Sequence, residues 1–336
     1  MKLFSALILF LPLLFSGCPR GGGPESAFVL GTLCTVDLYG QGSRDLYRAV
    51  FERLGELEDI LSANREGTDL DRVNRGAGKE RVPVRPELID LLKQALYYAE
   101  LSGGAFDPSV GPLVKLWGIG TDAPRVPSGG EIGQALALVD YRDIEIDEAG
   151  GTVFLKRRGM ALDLGAAAKG YAADEAVKLL ARRGIRRGII DLGGNIFAYG
   201  ERERGRPWRI GVQDPGEHRG AYIGVLELNN KSVVTSGVYE RYFEEDGRRY
   251  HHILSTETGG PAETGLLSVT VAAGSSTAAD ALSTAAFALG WERGRRLIET
   301  VPGAGGIFIF EDLSVRLTPG IRDTFSLTGP DYRLAE

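Results

Sequence analysis

LLSVTVAAGSSTAADALSTAAFALG, residues Leu266 to Gly290, decides the fold class. Its first nine residues, LLSVTVAAG, form a strand-like run, and the alanine-rich remainder from Ser276 to Gly290 has the character of a buried helix. Asp280 and Thr284 lie four residues apart in that helix, and Phe287 continues the same stripe. A carboxylate and a hydroxyl on a stripe that enters the core need partners, because an unpaired buried charge is costly. A divalent cation would accept both oxygens.

Working outward, residues 28–39 alternate apolar with small or polar residues and predict one strand. Asp45 to Ser62 has helical periodicity, with Leu46, Val50, Leu54, Leu57 and Leu61 on one side. Pro86 to Ser102 predicts a second helix, with proline early and Gly103-Gly104 beyond its end. A loop-rich region, AFDPSVGPLVKLWGIG, leads to a polar helix around Gly130 to Leu138. The strands DIEID, TVFLKR and MALDLG follow, the last running into the helix AAAKGYAADEAVKLLARRG. IRRGIIDLGGNIFAYG predicts a buried strand with a glycine turn, and WRIGVQDP, YIGVLELNN and SVVTSG predict further strands. RYFEEDGRRYHHIL has the form of a hairpin about Asp246-Gly247, and GIFIFED is expected to be the last strand. Helices and strands mix without a regular βαβ rhythm, so the expected class is α+β, with mixed sheets flanked by helices in one large domain over residues 27–336.

The chain opens MKLFSALILFLPLLFSGC. Lys2 and the short apolar run Leu3 to Phe15 predict a signal peptide over residues 1–17 rather than a membrane-spanning helix. Small residues directly before Cys18 resemble a bacterial lipobox, which implies an exported protein lipidated at Cys18 and held at the periplasmic face of a membrane. The alternative is an ordinary signal peptide with a chance cysteine. Residues 18–26 have the composition of a flexible tether. Cys34 is the only other cysteine, so the fold has no disulfide to rely on, and its strand-like setting predicts a small buried hydrophobe. With 39 basic and 45 acidic residues interspersed, net charge is −6, and nothing points to nucleic acid.

Four further segments carry polar groups that suit a site. LDLGAAAKGYAAD, Leu162 to Asp174, feeds a strand through small residues into a helix start, where free N–H groups and Lys169 would suit phosphate. The alternative is ordinary strand–turn–helix architecture with a solvated lysine. DLGGNI, Asp191 to Ile196, sets a Gly-Gly pair before Asn195, for close approach of a ligand or for a simple turn. Neither glycine cluster is a dinucleotide or P-loop fingerprint. His251 and His252 are adjacent in HHIL, so one is expected to face a cleft and the other water, without the spacing of a zinc site. A triad of Ser236, His252 and Asp280 is conceivable but lacks the GxSxG elbow. Asp107 precedes a proline, for which a turn is the plain explanation.

Taken together, GGAFDPSVGPLVKLWG, LDLGAAAKGYAAD, DLGGNI, WRIGVQDP, TSGVYERYFEEDGRRYHHIL and STAADALSTAAFALG resemble, in that order, the ApbE family of flavin transferases. The resemblance extends over nearly the whole chain after residue 26 and implies an ApbE-like, T-fold-like domain. It implies binding of FAD as substrate, a need for Mg²⁺, release of AMP, and transfer of FMN to a threonine or serine of a target protein. The metal site would match Asp280, Thr284 and the backbone carbonyl of Ala166. His252 would lie near the reacting phosphate, with His252 or Asp280 as the base. Lys169, Asp163, Asn195 and Asp107 would line the nucleotide cleft. The acceptor would be an extracytoplasmic threonine or serine, of the type found in redox-driven ion pumps.

Three departures stand out. Ser255-Thr256 replaces the family's common Asp-Pro after the histidine, and Val238 stands where Asp is common. Asn64, in LSANREGTDLDRVN, occupies a position that is often aromatic in the family, where a ring would stack on the nucleotide. Loss of that ring predicts hydrolysis of FAD to FMN and AMP in competition with transfer. The rival expectations are an FAD pyrophosphatase and a non-catalytic FAD-binding lipoprotein.

Overall fold

The computed structural model describes residues 23–203, 205–218 and 220–335. The signal peptide, Cys18 and most of the tether lie outside them. Strand Glu25–Val29 begins inside the stretch expected to be tether. The expected strand over 28–39 is a hairpin, Glu25–Val29 with Thr32–Asp37, because Leu30 and Gly31 both take positive φ (57° and 67°) and turn the chain.

Seven helices accompany the strands. These are α1 (Arg44–Leu61), α2 (Asp69–Gly76), α3 (Pro86–Leu101), α4 (Gly111–Trp117), α5 (Gly129–Leu136), α6 (Ala168–Arg182) and α7 (Ser276–Glu299). Ser43 caps α1 through Leu46 N–H, and Ser128 and Glu131 close a capping box on α5. α2 was not anticipated, although Thr68 caps it through Asp71 N–H. α7 continues past Gly290, which breaks the helical geometry with φ 71° and ψ −177°. The segment MALDLG forms only an isolated bridge, Ala161 to Val110, because its polar partners are the Asn74 side chain of α2 and the backbone of the loop at 108–111 rather than a strand. GIFIFED is not the last strand, since Ser314–Leu317, Phe325–Leu327 and Arg333–Leu334 follow it.

The central sheet has nine strands. Their order is Glu25–Val29, Thr32–Asp37, Gly188–Leu192, Ile196–Tyr199, Lys231–Gly237, Leu266–Ala273, Gly305–Phe310, Ser314–Leu317 and Arg333–Leu334. Every pairing is antiparallel except the last. Alternation along these strands divides the core. Cys34, Ile190, Val234 and Val271 pack with the helices, while Ala198, Val233, Ala272 and Ile307 face a three-stranded sheet built on Trp208–Gln213, Tyr222–Leu228 and Phe325–Leu327. A smaller apolar cluster joins Leu113 and Trp117 of α4 to Leu254, with Phe243 and Tyr250 of the hairpin Tyr242–His251 packed on it. The α+β expectation matches this architecture. No helix among the described residues is long and apolar enough to cross a membrane.

Candidate functional site

The site forms where the starts of α6 and α7 cross. Gly170, in the first turn of α6, gives its N–H to Asp280 Oδ2 of α7 at 2.9 Å. A Cβ at Gly170 would overlap the Ser276 carbonyl and lie 2.7 Å from Thr277 Cα, so only glycine permits this crossing. In return, Asp174 of α6 takes the start of α7. Its carboxylate accepts from Ser276 N–H (2.7 Å), Thr277 N–H (3.0 Å), Ser275 Oγ (2.7 Å) and Thr277 Oγ1 (2.8 Å). Each helix therefore has free N–H groups of its first turn satisfied by a carboxylate from the other.

Gly170 N–H is one of the first-turn donors of α6 that have no intrahelical acceptor, since the helix's own ladder begins with Tyr171 N–H to the Ala167 carbonyl at 2.9 Å. The Ala166 carbonyl, just before the helix, accepts no hydrogen bond from the described residues. Asp280 is 5% exposed, and burial pushes its carboxyl above the usual carboxylate range. Against that push, the charge of Lys169, the Gly170 N–H and the Asn195 amide favour the ionised form, while Asp174 opposes it. Thr284 Oγ1 lies 3.1 Å from Ser236 Oγ, which lies 2.9 Å from Ser283 Oγ. Ser283 Oγ in turn donates to the Asp280 carbonyl at 2.9 Å.

Asn195 is 1% exposed and follows the Gly193-Gly194 turn, whose φ angles of 69° and 96° require glycine. Its Oδ1 accepts from Ser276 Oγ at 2.6 Å. Its Nδ2 lies toward Asp280 without closing a hydrogen bond of normal geometry, which leaves a buried donor without an acceptor. A phosphate oxygen would satisfy it. The Lys169 ammonium forms no ion pair or side-chain hydrogen bond among the described residues, yet its charge is felt at Asp280, His252 and Cys34.

His252 follows the hairpin Tyr242–His251. Its Nδ1 is 3.1 Å from the Arg241 carbonyl, which also accepts its backbone N–H at 3.1 Å. A carbonyl only accepts, so Nδ1 carries the proton and Nε2 keeps its lone pair. Burial, and then the positive charge of Arg241, push the imidazole down to about 3, so it is neutral at physiological pH. Of the pair, expected to place one histidine in a cleft and the other in water, His251 is not the one in water. It is buried edge-on against Phe287, with Nε2 toward the Ala262 carbonyl (3.2 Å) and Nδ1 accepting from Ile253 N–H (3.3 Å). No Ser236–His252–Asp280 relay forms, since Ser236 bonds to Ser283 and Thr284 and His252 to Arg241.

Other candidates stand further from this centre. Both Asp107 oxygens are engaged, Oδ1 with Ser109 N–H and Oγ (2.7 Å each) and Oδ2 with Tyr141 N–H (3.0 Å), so the side chain anchors one loop to another. Asp163 turns its own loop through Gly165 N–H (2.9 Å), and its N–H joins Pro108 O (2.9 Å). Asn64 is exposed on the α1–α2 loop, with no contact to the Asp280 group among the described residues. Thr256 Oγ1 donates to the Gly104 carbonyl at 2.8 Å, and Ser255 Oγ caps the turn at 257–258. Cys34 is fully buried and its thiol is pushed up to about 12 by burial and then by Asp191, as expected of a packing residue. Asp174 is the functional residue missed by sequence reasoning. Its only signal was its place at the end of LDLGAAAKGYAAD.

The oxygens at the crossing suit a hard cation, namely one carboxylate, one open backbone carbonyl and one hydroxyl. They include no cluster of three or more His, Cys, Asp or Glu side chains among the described residues, so a site of this kind must draw its other ligands from substrate or water.

Residues 30–308 match the model of the ApbE family. A protein from Treponema pallidum named FAD:protein FMN transferase is 43% identical over 316 residues, covering 89% of this chain and 87% of its own. One from Klebsiella pneumoniae with the same name is 36% identical, covering 93% and 96%. Among solved structures, the ApbE protein of Thermotoga maritima aligns with TM-score 0.77 at 36% identity, covering 86% of this chain and 94% of that one. The apo flavinyl transferase ApbE of Pseudomonas stutzeri aligns with TM-score 0.78 at 32% identity, covering 88% and 94%. Matched along this length in both sequence and fold, the chain belongs to the ApbE family.

Proposed function

We propose that this chain is a Mg²⁺-dependent FAD:protein FMN transferase. It takes FAD and an acceptor hydroxyl, forms a phosphoester between that oxygen and the FMN phosphorus, and breaks the bond from that phosphorus to the bridging oxygen, which leaves with AMP. The observation that carries the reading is the buried Asp280 carboxylate capping the start of α6, beside an Ala166 carbonyl that accepts no hydrogen bond from the described residues.

Asp280, the Ala166 carbonyl and Thr284 would hold the cation, which would supply charge neutralisation to the diphosphate when bound. Lys169 and the first turn of α6 favour the remaining phosphate charge, and Asn195 Nδ2 gives a buried donor to a phosphate oxygen. His252 presents Nε2 as the acceptor for the proton of the attacking hydroxyl. Asp107 and Asp163 support this arrangement by fixing the loop at 106–111 to 140–141 and 161–163. The acceptor is a threonine or serine of an extracytoplasmic protein segment, of the kind carried by redox-driven ion pumps, and the enzyme is held at the periplasmic face through lipid on Cys18. Asn64, exposed on the α1–α2 loop, stands where the family resemblance places an aromatic ring, and without that ring water competes with the acceptor and some FAD is hydrolysed.

The test is incubation with FAD and Mg²⁺, with and without an acceptor domain, following AMP, free FMN and protein-bound flavin fluorescence. AMP should form in both cases and protein-bound flavin only with acceptor. EDTA and Asp280→Ala should each stop AMP release. AMP formation that survives both treatments would remove the metal assignment, and FAD left intact under all conditions would favour a non-catalytic binding protein.

A further inference from the structure

We propose that the end of the central sheet opposite the active site is a docking surface for anionic phospholipid headgroups. Five exposed arginines from three segments meet there: Arg182 and Arg183 at the end of α6, Arg186 in the following loop, and Arg202 and Arg206 in the next hairpin. Close backbone packing brings the segments together. A Cβ at Gly200 would overlap the Arg186 carbonyl and lie 3.0 Å from Arg187 Cα, and Arg187 Nη1 donates to the Arg202 carbonyl at 2.8 Å. Among the described residues, none of the five arginines forms an ion pair or a side-chain hydrogen bond. Glu25 and Asp37 at this end, with Glu201 and Glu203 on the hairpin, offset part of the charge and Arg187 adds to it, in a chain whose net charge is −6.

The sheet register places the chain's entry at this same end. Glu25 pairs with Val36, Asp37 pairs with Ile189, and Gln41 Oε1 accepts Arg186 N–H at 3.1 Å. Fully extended, the stretch from Cys18 to Glu25 reaches at most about 25 Å. This part of the argument rests on the proposed lipid at Cys18, which would keep the arginines within reach of the bilayer. Tyr39, 39% exposed and 4.8 Å from Trp208 between ring centroids, adds an amphipathic ring of the kind that settles at headgroups. The orientation also has a consequence for the reaction. α6 carries Gly170 at one end and Arg182 at the other, so headgroups under the arginines leave the cleft facing away from the bilayer, about 20 Å above it.

The experiment uses the chain from Gly23 onward, which contains every element described above and no lipid. Vesicles of phosphatidylcholine alone are compared with vesicles carrying about one third phosphatidylglycerol, by co-sedimentation. Binding to the anionic vesicles, weakened by salt, is expected. Each arginine should contribute about fivefold, so combining Arg183→Gln, Arg186→Gln and Arg202→Gln should lower partitioning about 100-fold. The charge-matched set Lys79→Gln, Arg81→Gln and Arg142→Gln should bind like the parent. AMP release from FAD should be unchanged in both sets, which separates this outcome from any failure of the transferase reading. Equal binding to neutral and anionic vesicles, or full binding by the patch variant, would overturn the proposal. So would retention on heparin without vesicle binding, which would assign the patch to a polyanionic macromolecule.

Discussion

Asp280→Asn should make the metal-free protein more stable while removing its activity. The carboxylate is almost wholly buried, and burial is the largest influence on its ionisation, raising it above the usual value of 3.8. One backbone N–H, one lysine charge and one imperfectly placed amide do not replace the hydration of an anion. The amide is nearly isosteric and its oxygen keeps the Gly170 N–H, so only the charge is lost. Relief of that desolvation is worth about 1–3 kcal/mol, a rise in Tm of at least about 2 °C. The sign with pH follows from linkage. A carboxyl raised in the folded state contributes stability that is complete below its unfolded value and is lost as pH rises through its folded value. The advantage of asparagine should therefore be small near about pH 4 and grow toward about pH 8. Saturating Mg²⁺ should reverse the ranking, since about a thousandfold excess over Kd stabilises only the parent, by about 4.1 kcal/mol. Thermal denaturation in EDTA and in Mg²⁺, alongside AMP release, measures all of this. A substitution that lowers Tm in EDTA, or that leaves AMP release within about twofold of the parent, would refute the reasoning.

Three other outcomes are expected. Gly170→Ala should separate α6 from α7, costing about 1–3 kcal/mol in denaturant unfolding and most of the AMP release, because the new methyl meets the Ser276 backbone. His252→Ala should lower kcat by about 10²- to 10⁴-fold while FAD affinity, read by equilibrium binding, changes little. In the parent, the depressed folded value of His252 contributes stability above about pH 6.5 that is lost as pH falls toward about 3, and the alanine variant should lack this loss in urea unfolding across that window. Cys34 should resist alkylation in the native protein at neutral pH and react only on unfolding, as followed by mass spectrometry.

Local chemistry made much of the fold readable. The apolar stripe of α1, the proline opening α3 and the Asp246-Gly247 turn are short-range signals, and the elements stand within a residue or two of expectation. Errors arose where a local pattern had two outcomes. Residues 28–39 alternate through Leu30-Gly31, and alternation alone does not reveal that both residues reverse the chain. MALDLG has strand composition, but Leu162 N–H goes to Asn74 Oδ1 of α2 and Asp163 N–H to Pro108 O, so a helix side chain and a loop carbonyl replace a ladder.

The candidate site divides along the same line. The i, i+4 relation of Asp280 and Thr284 is a property of one helix and was visible at once. What gives the pair its chemistry is the crossing of two helices whose contacting residues are 110 positions apart in sequence. There, the missing side chain at Gly170 lets α7 approach, and Asp280 caps the Gly170 N–H beside an Ala166 carbonyl that accepts no hydrogen bond from the described residues. Asp174 completes the exchange by accepting four donors at the start of α7, and that holds Asp280 in register. In the sequence, Asp174 is one more acidic residue on a helix of mixed polarity, indistinguishable from a solvated one. A reader of the sequence sees donors and acceptors singly, whereas the site depends on which acceptor wins each donor. Which acceptor caps the Gly170 N–H is settled only by tertiary packing, and for that reason the carboxylate beside the Ala166 carbonyl was foreseeable from family resemblance but not from the residues themselves.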